Sequence, residues 1–177
     1  MSVAPGITLR DAASDDIPEI TRIYAHHVLR GLASFEDVPP DEEEIRRRHA
    51  AVAGRGLPWL VACEAGAVRG YAYAGPYRHR SCYRYTLEDS IYVAPASMRR
   101  GMGLALLNEL VARCTDAGYR QMVAVIGDSA NEASIGLHER LGFRRVGLLP
   151  ATGLKFSRWV DTVLMQRELG AGAKTLP

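Results

Sequence analysis

Hydrophobic residues recur along the first third of this chain with the spacing of a strand and then of a helix. Residues 7–10 predict a first strand, and a helix follows it to about Arg30. Asp15 or Asp16 can cap this helix. Its apolar residues share one face, which we expect to be buried: Ile17, Ile20, Ile23, Tyr24 and Val28. Residues 41–52 predict a second helix, whose glutamates and arginines form a solvated face.

The rest of the pattern alternates between strands and helices. Residues 59–64 and 68–74 predict a hairpin, and residues 83–93 extend its sheet. Later elements are predicted as a helix at 103–117, a strand at 122–126, a helix at 132–141, and strands at 144–149 and 159–169. We expect one domain over residues 1–177, with its core at about 7–169. Its α+β fold places helices around a mixed, mostly antiparallel sheet.

Composition restricts the possible function classes. The 177 residues are 47% hydrophobic and carry a net charge of +2, which is too small to favour nucleic-acid binding. Residues 1–6 lack a signal-peptide pattern, and no apolar run is long enough to cross a bilayer. We therefore expect a cytoplasmic protein that binds neither nucleic acid nor membrane, and whose ligand is an anionic small molecule.

The three cysteines form neither a disulfide pattern nor a metal-binding pattern. Cys63 and Cys114 fall among apolar residues, where we expect them to be buried. Cys82 lies in a polar loop, where we expect it to be accessible. The chain has no CxxC spacing, so the sequence predicts no zinc site and no other metal site.

A glycine-rich turn follows the strand that ends at Val93, and it predicts an anion site. Gly101 and Gly103 remove side chains beside a helix N-terminus, whose first N–H groups lack partners within the helix. Arg99 and Arg100 add positive charge at the same place. Unpaired N–H groups and nearby arginines favour a phosphate group.

The spacing within this turn separates three phosphate-binding motifs. Leu106 stands where the dinucleotide motif needs a small residue, and the Gly-Lys-Ser/Thr ending of P-loops is missing. The remaining pattern, Arg100-x-x-Gly103-x-Ala105, resembles the acetyl-CoA loop of the GCN5-related N-acetyltransferase (GNAT) superfamily. For this motif taken alone, an ordinary strand-to-helix turn with exposed arginines is the alternative.

A second module lies between Asn131, placed as a helix cap, and Gly142, placed as a left-handed helix stop. Asn131, Ser134 and His138 differ by three and then four positions, so they share one helix face. The alternative is a capped helix with a polar stripe that faces solvent. Acetyl-CoA transferases carry a module of this form after the glycine-rich loop.

The chain as a whole resembles the phosphinothricin and methionine sulfoximine N-acetyltransferases, a branch of the GNAT superfamily. The resemblance covers about residues 7–169 and rests on stretches at 34–36, 74–80, 83–88, 123–127, 137–143 and 153–156, followed by Trp159 and Asp161. It implies direct transfer of an acetyl group from acetyl-CoA to the α-amino group of a small amino-acid analogue. It also implies resistance to phosphinothricin used as a herbicide.

The acceptor amine must lose a proton, because an ammonium group cannot attack a thioester. The resemblance assigns this step to Glu88, and an exposed strand carboxylate is the alternative. Strand alternation places Arg84, Thr86, Glu88, Ser90 and Tyr92 on one face, opposite Tyr85, Leu87, Asp89 and Ile91. His138 stands where many GNAT enzymes carry a tyrosine. Its roles are left open between protonating the thiolate, assisting Glu88 and a structural function.

The resemblance assigns the acetyl-CoA contacts to three segments. Backbone groups of Ile91, Tyr92 and Val93 bind the pantetheine arm, and N–H groups beside them stabilise the oxyanion. The pyrophosphate contacts are assigned to Arg99, Arg100, Gly101, Met102, Gly103 and Leu104. Asn131 and Ser134 complete the cofactor site. Direct attack needs no protein nucleophile, so we treat Cys82 as a bystander.

The substrate side is assigned to two cations, an aromatic ring and a hydroxyl. Arg78 and Arg80 suit a carboxylate together with a second anionic or strongly dipolar group. Phe35 supplies an apolar wall and Tyr83 a hydroxyl. Solvated loop arginines are the alternative for Arg78 and Arg80.

Two other functions compete with this one. The first is acetyl transfer to another amine, such as a polyamine, an aminoglycoside or a protein N-terminus; the paired arginines argue against polycations. The second is a catalytically silent acyl-CoA sensor, against which Glu88 and His138 argue. Relatives form homodimers, and Phe156, Trp159 and Val160 near a sheet edge are compatible with a dimer and equally with internal packing.

Overall fold

The computed structural model describes residues 6–177 and shows a seven-stranded sheet with four helices. The strands are β1 (Ile7–Asp11), β2 (Trp59–Glu64), β3 (Ala67–Pro76), β4 (Thr86–Val93), β5 (Gln121–Gly127), β6 (Arg144–Lys155) and β7 (Arg158–Glu168). The helices are α1 (Ile17–Arg30), α2 (Glu42–Ala53), α3 (Met102–Asp116) and α4 (Glu132–Arg140). Residues 1–5 of the segment examined for a signal pattern lie outside the described residues.

The sheet is mixed and mostly antiparallel, as the sequence predicts. Its strand order is β1-β2-β3-β4-β5-β7-β6. Strands β4 and β5 are parallel, and every other neighbouring pair is antiparallel. Helix α3 makes the crossover between the two parallel strands, because a parallel pair needs a long connection.

Strands β4 and β5 separate before they end. Their last paired residues are Asp89 and Ala124, yet β4 continues to Val93 and β5 to Gly127. Beyond this pair, the facing backbone groups of the two strands no longer bond to each other. The opening therefore lies beside residues 91–93, where we expect open backbone groups.

Alternate residues of β4 face different helix layers, as strand geometry requires. The ring of Tyr92 lies 4.9 Å, centroid to centroid, from that of Tyr24 in α1. On the other face, Ile91 approaches α3: a Cβ placed on Gly103 would lie 3.9 Å from Cδ1 of Ile91. Glu88 and Ser90 consequently share the α1 side with Tyr92.

Helix α1 buries all five residues of its predicted apolar face, namely Ile17, Ile20, Ile23, Tyr24 and Val28. The predicted cap by Asp15 or Asp16 is wrong, because no side chain caps this helix. The carboxylate of Asp16 accepts hydrogen bonds from Arg10 at 2.6 and 2.7 Å and from the Ala13 N–H at 2.7 Å. A bidentate bond to a strand arginine thus replaces the cap.

Two predicted strands have an end that differs from the structure by three residues or more. Strand β4 begins at Thr86 rather than at 83, because Ser81–Tyr83 form a 3-10 turn. Arg84 therefore does not belong to the alternating face of β4. Strand β6 extends to Lys155 rather than to 149, and register shifts after Arg145 and Leu149 bend it.

The burial of the cysteines agrees with the sequence analysis. Cys63 and Cys114 are buried, and Cys82 is exposed. Within residues 6–177 no helix is both long and apolar enough to cross a membrane. The same part of the chain contains no group of three or more histidine, cysteine, aspartate or glutamate residues that could hold a metal ion.

Candidate active site

A cavity of about 440 Å³ lies where β4 and β5 separate. Its wall includes Glu88 and Asp89 of β4, His138 of α4, and Phe35 from the loop between α1 and α2. Because neighbouring residues of a strand point to opposite faces, these side chains approach from both sides of the sheet. The cavity therefore joins the α1 side to the α4 side through the opening.

Glu88 is half-buried in this wall. Burial raises the pKa of its carboxyl above the ordinary value, and the negative charge of Asp89 raises it further. The positive charge of Arg78 acts in the opposite direction. A carboxylate with a raised pKa binds a proton more tightly, which suits a group that removes a proton from an amine.

Asp89 and His138 form a buried pair. Oδ2 of Asp89 lies 3.0 Å from Nε2 of His138, and both side chains are 2% exposed. Nδ1 of the same ring lies 2.7 Å from the carbonyl oxygen of Ser134, which can only accept, so Nδ1 carries a proton. The other oxygen of Asp89, Oδ1, is buried without a hydrogen-bond partner among the described residues.

This arrangement favours a doubly protonated His138. Burial is the largest single influence on its pKa and lowers it, but the hydrogen bond and charge of Asp89 and the Ser134 carbonyl outweigh burial. The pKa of His138 is therefore raised above its ordinary value. A polar stripe that faces solvent, the alternative for this helix face, is contradicted at His138 by its 2% exposure.

The N-terminus of α4 lies at the same cavity. Oδ1 of Asn131 accepts a hydrogen bond from the Ser134 N–H at 3.2 Å, so Asn131 caps the helix as predicted. Its Nδ2 donates to the Gly127 carbonyl oxygen at 3.4 Å and ties α4 to the end of β5. Asn131 and Ser134 both line the cavity.

The glycine-rich turn enters α3 through a left-handed backbone. Gly101 has φ of +82°, and Arg99 has φ of +58°. The Ala105 N–H donates to the Gly101 carbonyl oxygen at 3.0 Å, so the amides of residues 102–104 precede the first bond within the helix. These three N–H groups can bind an anion, as the sequence predicts of such a turn.

Two details of this turn add to the sequence interpretation. A Cβ on Gly103 would lie 3.4 Å from Cδ2 of Leu137 and 3.8 Å from Cγ2 of Val93, which are ordinary van der Waals distances, so packing against α4 and β4 does not by itself require glycine at this position. Arg100 forms a bidentate ion pair with Glu64, with Nη1 2.9 Å from Oε2. This exposed pair occupies the guanidinium that we assigned to the pyrophosphate.

The loop that carries Phe35 is held by polar contacts. The Tyr24 hydroxyl donates to Oε1 of Glu36 at 2.8 Å, and Nη1 of Arg48 donates to the same oxygen at 2.7 Å. Arg48 also bonds Glu44 at 2.7 Å. The prediction that the charged residues of α2 only form a solvated face is therefore wrong for Arg48, which reaches across to the cavity wall.

The predicted substrate residues do not come together. Phe35 lines the cavity of Glu88, whereas Arg78, Arg80 and Tyr83 line a second cleft of about 380 Å³. This cleft also contains Arg55 and Arg84 and none of the acidic residues. The positive charge of Arg78 in the second cleft nevertheless acts on Glu88 in the first cavity, because it lowers the pKa of the Glu88 carboxyl.

The sequence model of the Acetyltransferase (GNAT) family matches residues 20–143 of this chain. The match spans β4, α3, β5 and α4, the elements that build the cavity. The chain belongs to the GNAT acetyltransferase family. A phosphinothricin N-acetyltransferase from Alcaligenes faecalis is 56% identical over 170 residues, which are 96% of this chain and 86% of that protein.

Further relatives agree with this GNAT assignment. An L-methionine sulfoximine/L-methionine sulfone acetyltransferase from Salmonella typhimurium is 40% identical over 92% of this chain and 95% of its own length. The crystal structure of a GNAT superfamily phosphinothricin acetyltransferase from Sinorhizobium meliloti in complex with AcCoA superposes with a TM-score of 0.94. It is 50% identical and covers 97% of this chain and 93% of that one.

The residues present fit acetyl-CoA, the cosubstrate that the GNAT family implies. The turn at Gly101 offers the free amides of α3 to a pyrophosphate. The separated edges of β4 and β5 offer backbone groups to an amide-containing arm, and the cavity at their end contains Glu88. When bound, acetyl-CoA supplies the activated acetyl group.

Three contributors to this GNAT site were not predicted from the sequence, namely Asp89, Arg48 and Lys155. The signal for Asp89 was its place on the apolar face of β4, where a carboxylate needs a buried partner. Arg48 and Lys155 gave no such signal, because their partners Glu36 and Ser34 are distant in sequence. For Asp161 the structure gives a role that the sequence did not: it accepts from Ala151 N–H at 2.9 Å and from Ser129 Oγ at 2.7 Å.

Proposed function

We propose that this GNAT enzyme transfers the acetyl group of acetyl-CoA to the α-amino group of a small amino-acid analogue of the phosphinothricin, methionine sulfoximine or methionine sulfone type. The observation that carries the proposal is the position of Glu88. Its carboxylate has a raised pKa and lies in a cavity at the opening between β4 and β5. The names of the similar enzymes support this class of acceptor.

In this mechanism Glu88 removes the proton from the acceptor ammonium, directly or through water. The neutral amine then attacks the thioester carbonyl, and open N–H groups beside residues 91–93 stabilise the oxyanion. The C–S bond then breaks, CoA leaves as the thiolate, and the nitrogen gives its remaining extra proton to water or to the thiolate, so that a neutral amide is formed. His138, doubly protonated against Asp89 and Ser134, provides a positive charge in the wall on the α4 side. The protein forms no covalent intermediate.

The acceptor is bound by two groups of residues in this proposal. Phe35 forms the apolar wall of the cavity beside Glu88. Arg78, Arg80 and Tyr83 supply cations and a hydroxyl from the adjoining cleft, where they attract the carboxylate and the second anionic group of the acceptor. The absence of acidic residues from the lining of this cleft argues against polycationic acceptors.

We also propose that the enzyme is a cytoplasmic homodimer. Trp159 is 67% exposed, and Leu154, its partner across the β6–β7 ladder, is 60% exposed. Phe156 in the turn between the strands is 56% exposed. Adjacent exposed apolar side chains at a sheet edge are typical of a subunit interface, which here would be formed with a second copy.

The test is a CoA-release assay with acetyl-CoA and a panel of phosphinothricin, methionine sulfoximine, methionine sulfone, common amino acids, polyamines and short peptides. We expect turnover with the amino-acid analogues and a loss of about 10²–10⁴-fold in kcat/KM for Glu88→Gln. Glu43→Gln, at an exposed position of α2, is the matched control. Turnover confined to peptides or polyamines would refute the acceptor class, and acetyl-CoA binding without any turnover would favour a silent sensor.

A further inference from the structure

Loop 31–37 places Phe35 in the cavity wall, although this residue is 43% exposed. A large apolar side chain of this exposure at a cavity is suited to contact a ligand. A short loop without secondary structure holds such a ring in place only if other elements fix its backbone.

Lys155, at the end of β6, is one of the residues that fix this backbone. It is 2% exposed, and its Nζ donates to the Ser34 carbonyl oxygen at 2.5 Å. The ammonium also lies 5.3 Å from the centroid of the Phe156 ring. A buried lysine is costly unless it is bonded, so a structure that retains one uses its bond to fix a specific partner. Here that partner is the backbone immediately before Phe35.

The ring of Phe35 also packs on two glycines. A Cβ on Gly153 would lie 2.5 Å from Cε2 and 2.8 Å from Cζ of Phe35. A Cβ on Gly127 would lie 2.9 Å from Cε1 of the same ring and would overlap the Leu32 carbonyl oxygen. Neither glycine has a positive φ, so the ring and the loop, not the backbone conformation, require glycine at both positions.

Lys155, Gly127 and Gly153 thus form a clamp on the Phe35 loop, and Ser34 connects this clamp to α1. Its hydroxyl lies 2.9 Å from the Tyr24 hydroxyl, and it accepts a hydrogen bond from the Glu36 N–H at 3.3 Å. Ser34 is 5% exposed, so these bonds are shielded from water. The loop is therefore bonded from α1 on one side and from the β6 end on the other.

We infer that Lys155, together with Gly127 and Gly153, is a positioning group that sets the place of the Phe35 ring and thereby the size and shape of acceptor that the cavity selects. This inference rests on the proposed function for its kinetic part. Lys155 does not touch the reacting atoms in this scheme. It acts through Ser34 and Phe35, so its loss weakens binding of the acceptor and leaves binding of acetyl-CoA unchanged.

The first test compares Lys155→Met with Lys174→Met, which alters the only other lysine at an exposed position near the C-terminus. We expect Lys155→Met to raise the acceptor KM about tenfold, since the loss of a charged hydrogen bond of this kind changes an equilibrium constant by about tenfold. The KM for acetyl-CoA should change less than twofold. Equal effects on both KM values, or no effect on the acceptor KM, would overturn the inference.

The second test keeps the inference falsifiable if Lys155→Met folds poorly. Gly153→Ala displaces the Phe35 ring and should lower kcat/KM for the preferred acceptor. Adding Phe35→Leu to Gly153→Ala should restore part of that loss, because the smaller side chain leaves room for the methyl group. Additive losses in the double variant would show that the two positions do not communicate and would overturn the inference.

A third readout does not depend on acetyl transfer. In wild-type protein and in Lys155→Met, amide hydrogen exchange is measured over residues 31–37 and over residues 128–131. We expect faster exchange in the variant at 31–37 and no change at 128–131. If no acceptor is turned over but this difference is found, the proposed function fails and the clamp stands. If turnover is found and exchange at 31–37 is unchanged, the clamp fails alone.

Discussion

Asp89 accepts a hydrogen bond of 3.0 Å from His138, which lies 49 residues later in the sequence, and both side chains are 2% exposed. The neighbouring carboxylate of Glu88 points to the other face of β4. Adjacent acids of one strand therefore have different environments. One is paired with the buried His138 on the α4 side, whose pKa is raised, and the other is a half-buried carboxyl with a raised pKa on the α1 side.

The Asp89–His138 pair makes stability depend on pH. The pKa of His138 is raised in the folded protein. The stability that protonated His138 contributes is therefore fully present below its unfolded pKa of about 6.5, and it is lost as the pH rises through its folded pKa. We expect Asp89→Asn to lower the free energy of unfolding by about 1–3 kcal/mol at pH 6. Denaturant melts at pH 6 and pH 9 measure this, and the loss should be smaller at pH 9.

Asp15→Asn, at an exposed position before α1, is the control and should change stability by less than about 0.5 kcal/mol. NMR titration of the His138 ring gives the pKa directly. It should fall in Asp89→Asn and remain unchanged in Asp15→Asn. A loss of stability that is the same at both pH values would show that the pair is not charged in the folded protein.

The charge of Arg78 should set the acidic limit of activity. Arg78 lowers the pKa of Glu88, so Arg78→Gln raises that pKa further. Because the base acts in its deprotonated form, the acidic limb of kcat/KM should move to higher pH in this variant. The measurement is kcat/KM for one acceptor between pH 5 and pH 9. Arg46→Gln, an exposed change on α2, should leave the limb in place.

Replacing Gly101, whose backbone is left-handed, should weaken acetyl-CoA binding as well as stability. An alanine at φ of +82° should cost about 1–2 kcal/mol and should tilt the amides of residues 102–104. We expect Gly101→Ala to raise the KM for acetyl-CoA at least fivefold. Gly118, after α3, has φ of +85° and open space around a Cβ, so Gly118→Ala should cost similar stability and leave this KM unchanged.

The exposed apolar pair of Leu154 and Trp159 predicts self-association. Trp159→Lys should convert a dimer into monomers, because an interface does not accept a buried unpaired charge. Sedimentation velocity at several protein concentrations measures the change. Leu29→Lys alters a side chain of similar exposure, 53%, on α1 and should leave the assembly intact. A wild-type protein that sediments as a monomer at all concentrations would refute the proposed dimer.

The elements of this fold could be read from local patterns. The apolar face of α1, the hairpin of β2 and β3, the cap at Asn131 and the glycine-rich turn depend on residues within a few positions of each other. Periodicity, capping and turn chemistry act over that distance. The sequence therefore sufficed for the α+β class and for the position of an anion-binding helix start.

The partners of charged side chains could not be read in this way. Asp16 bonds Arg10 instead of capping α1, Arg100 bonds Glu64, and Arg78 lies in a different cleft from Phe35. Local rules offered each group a nearby partner or a solvated position. Asp16 accepts instead from Arg10 six residues earlier, and Arg100 reaches Glu64 36 residues away, so neither bond follows from the spacings on which capping and helix rules depend.

The site itself depends on this long-range packing. His138 is buried because Asp89 lies opposite it across the α4–β4 contact, and Phe35 reaches the cavity because Lys155 and two glycines receive its loop. A residue pattern shows which chemical groups are present and which face of an element they share. The burial and the pKa of each group depend on what packs against that face. The packing brings together residues that are far apart in the chain, so only the tertiary structure decides it.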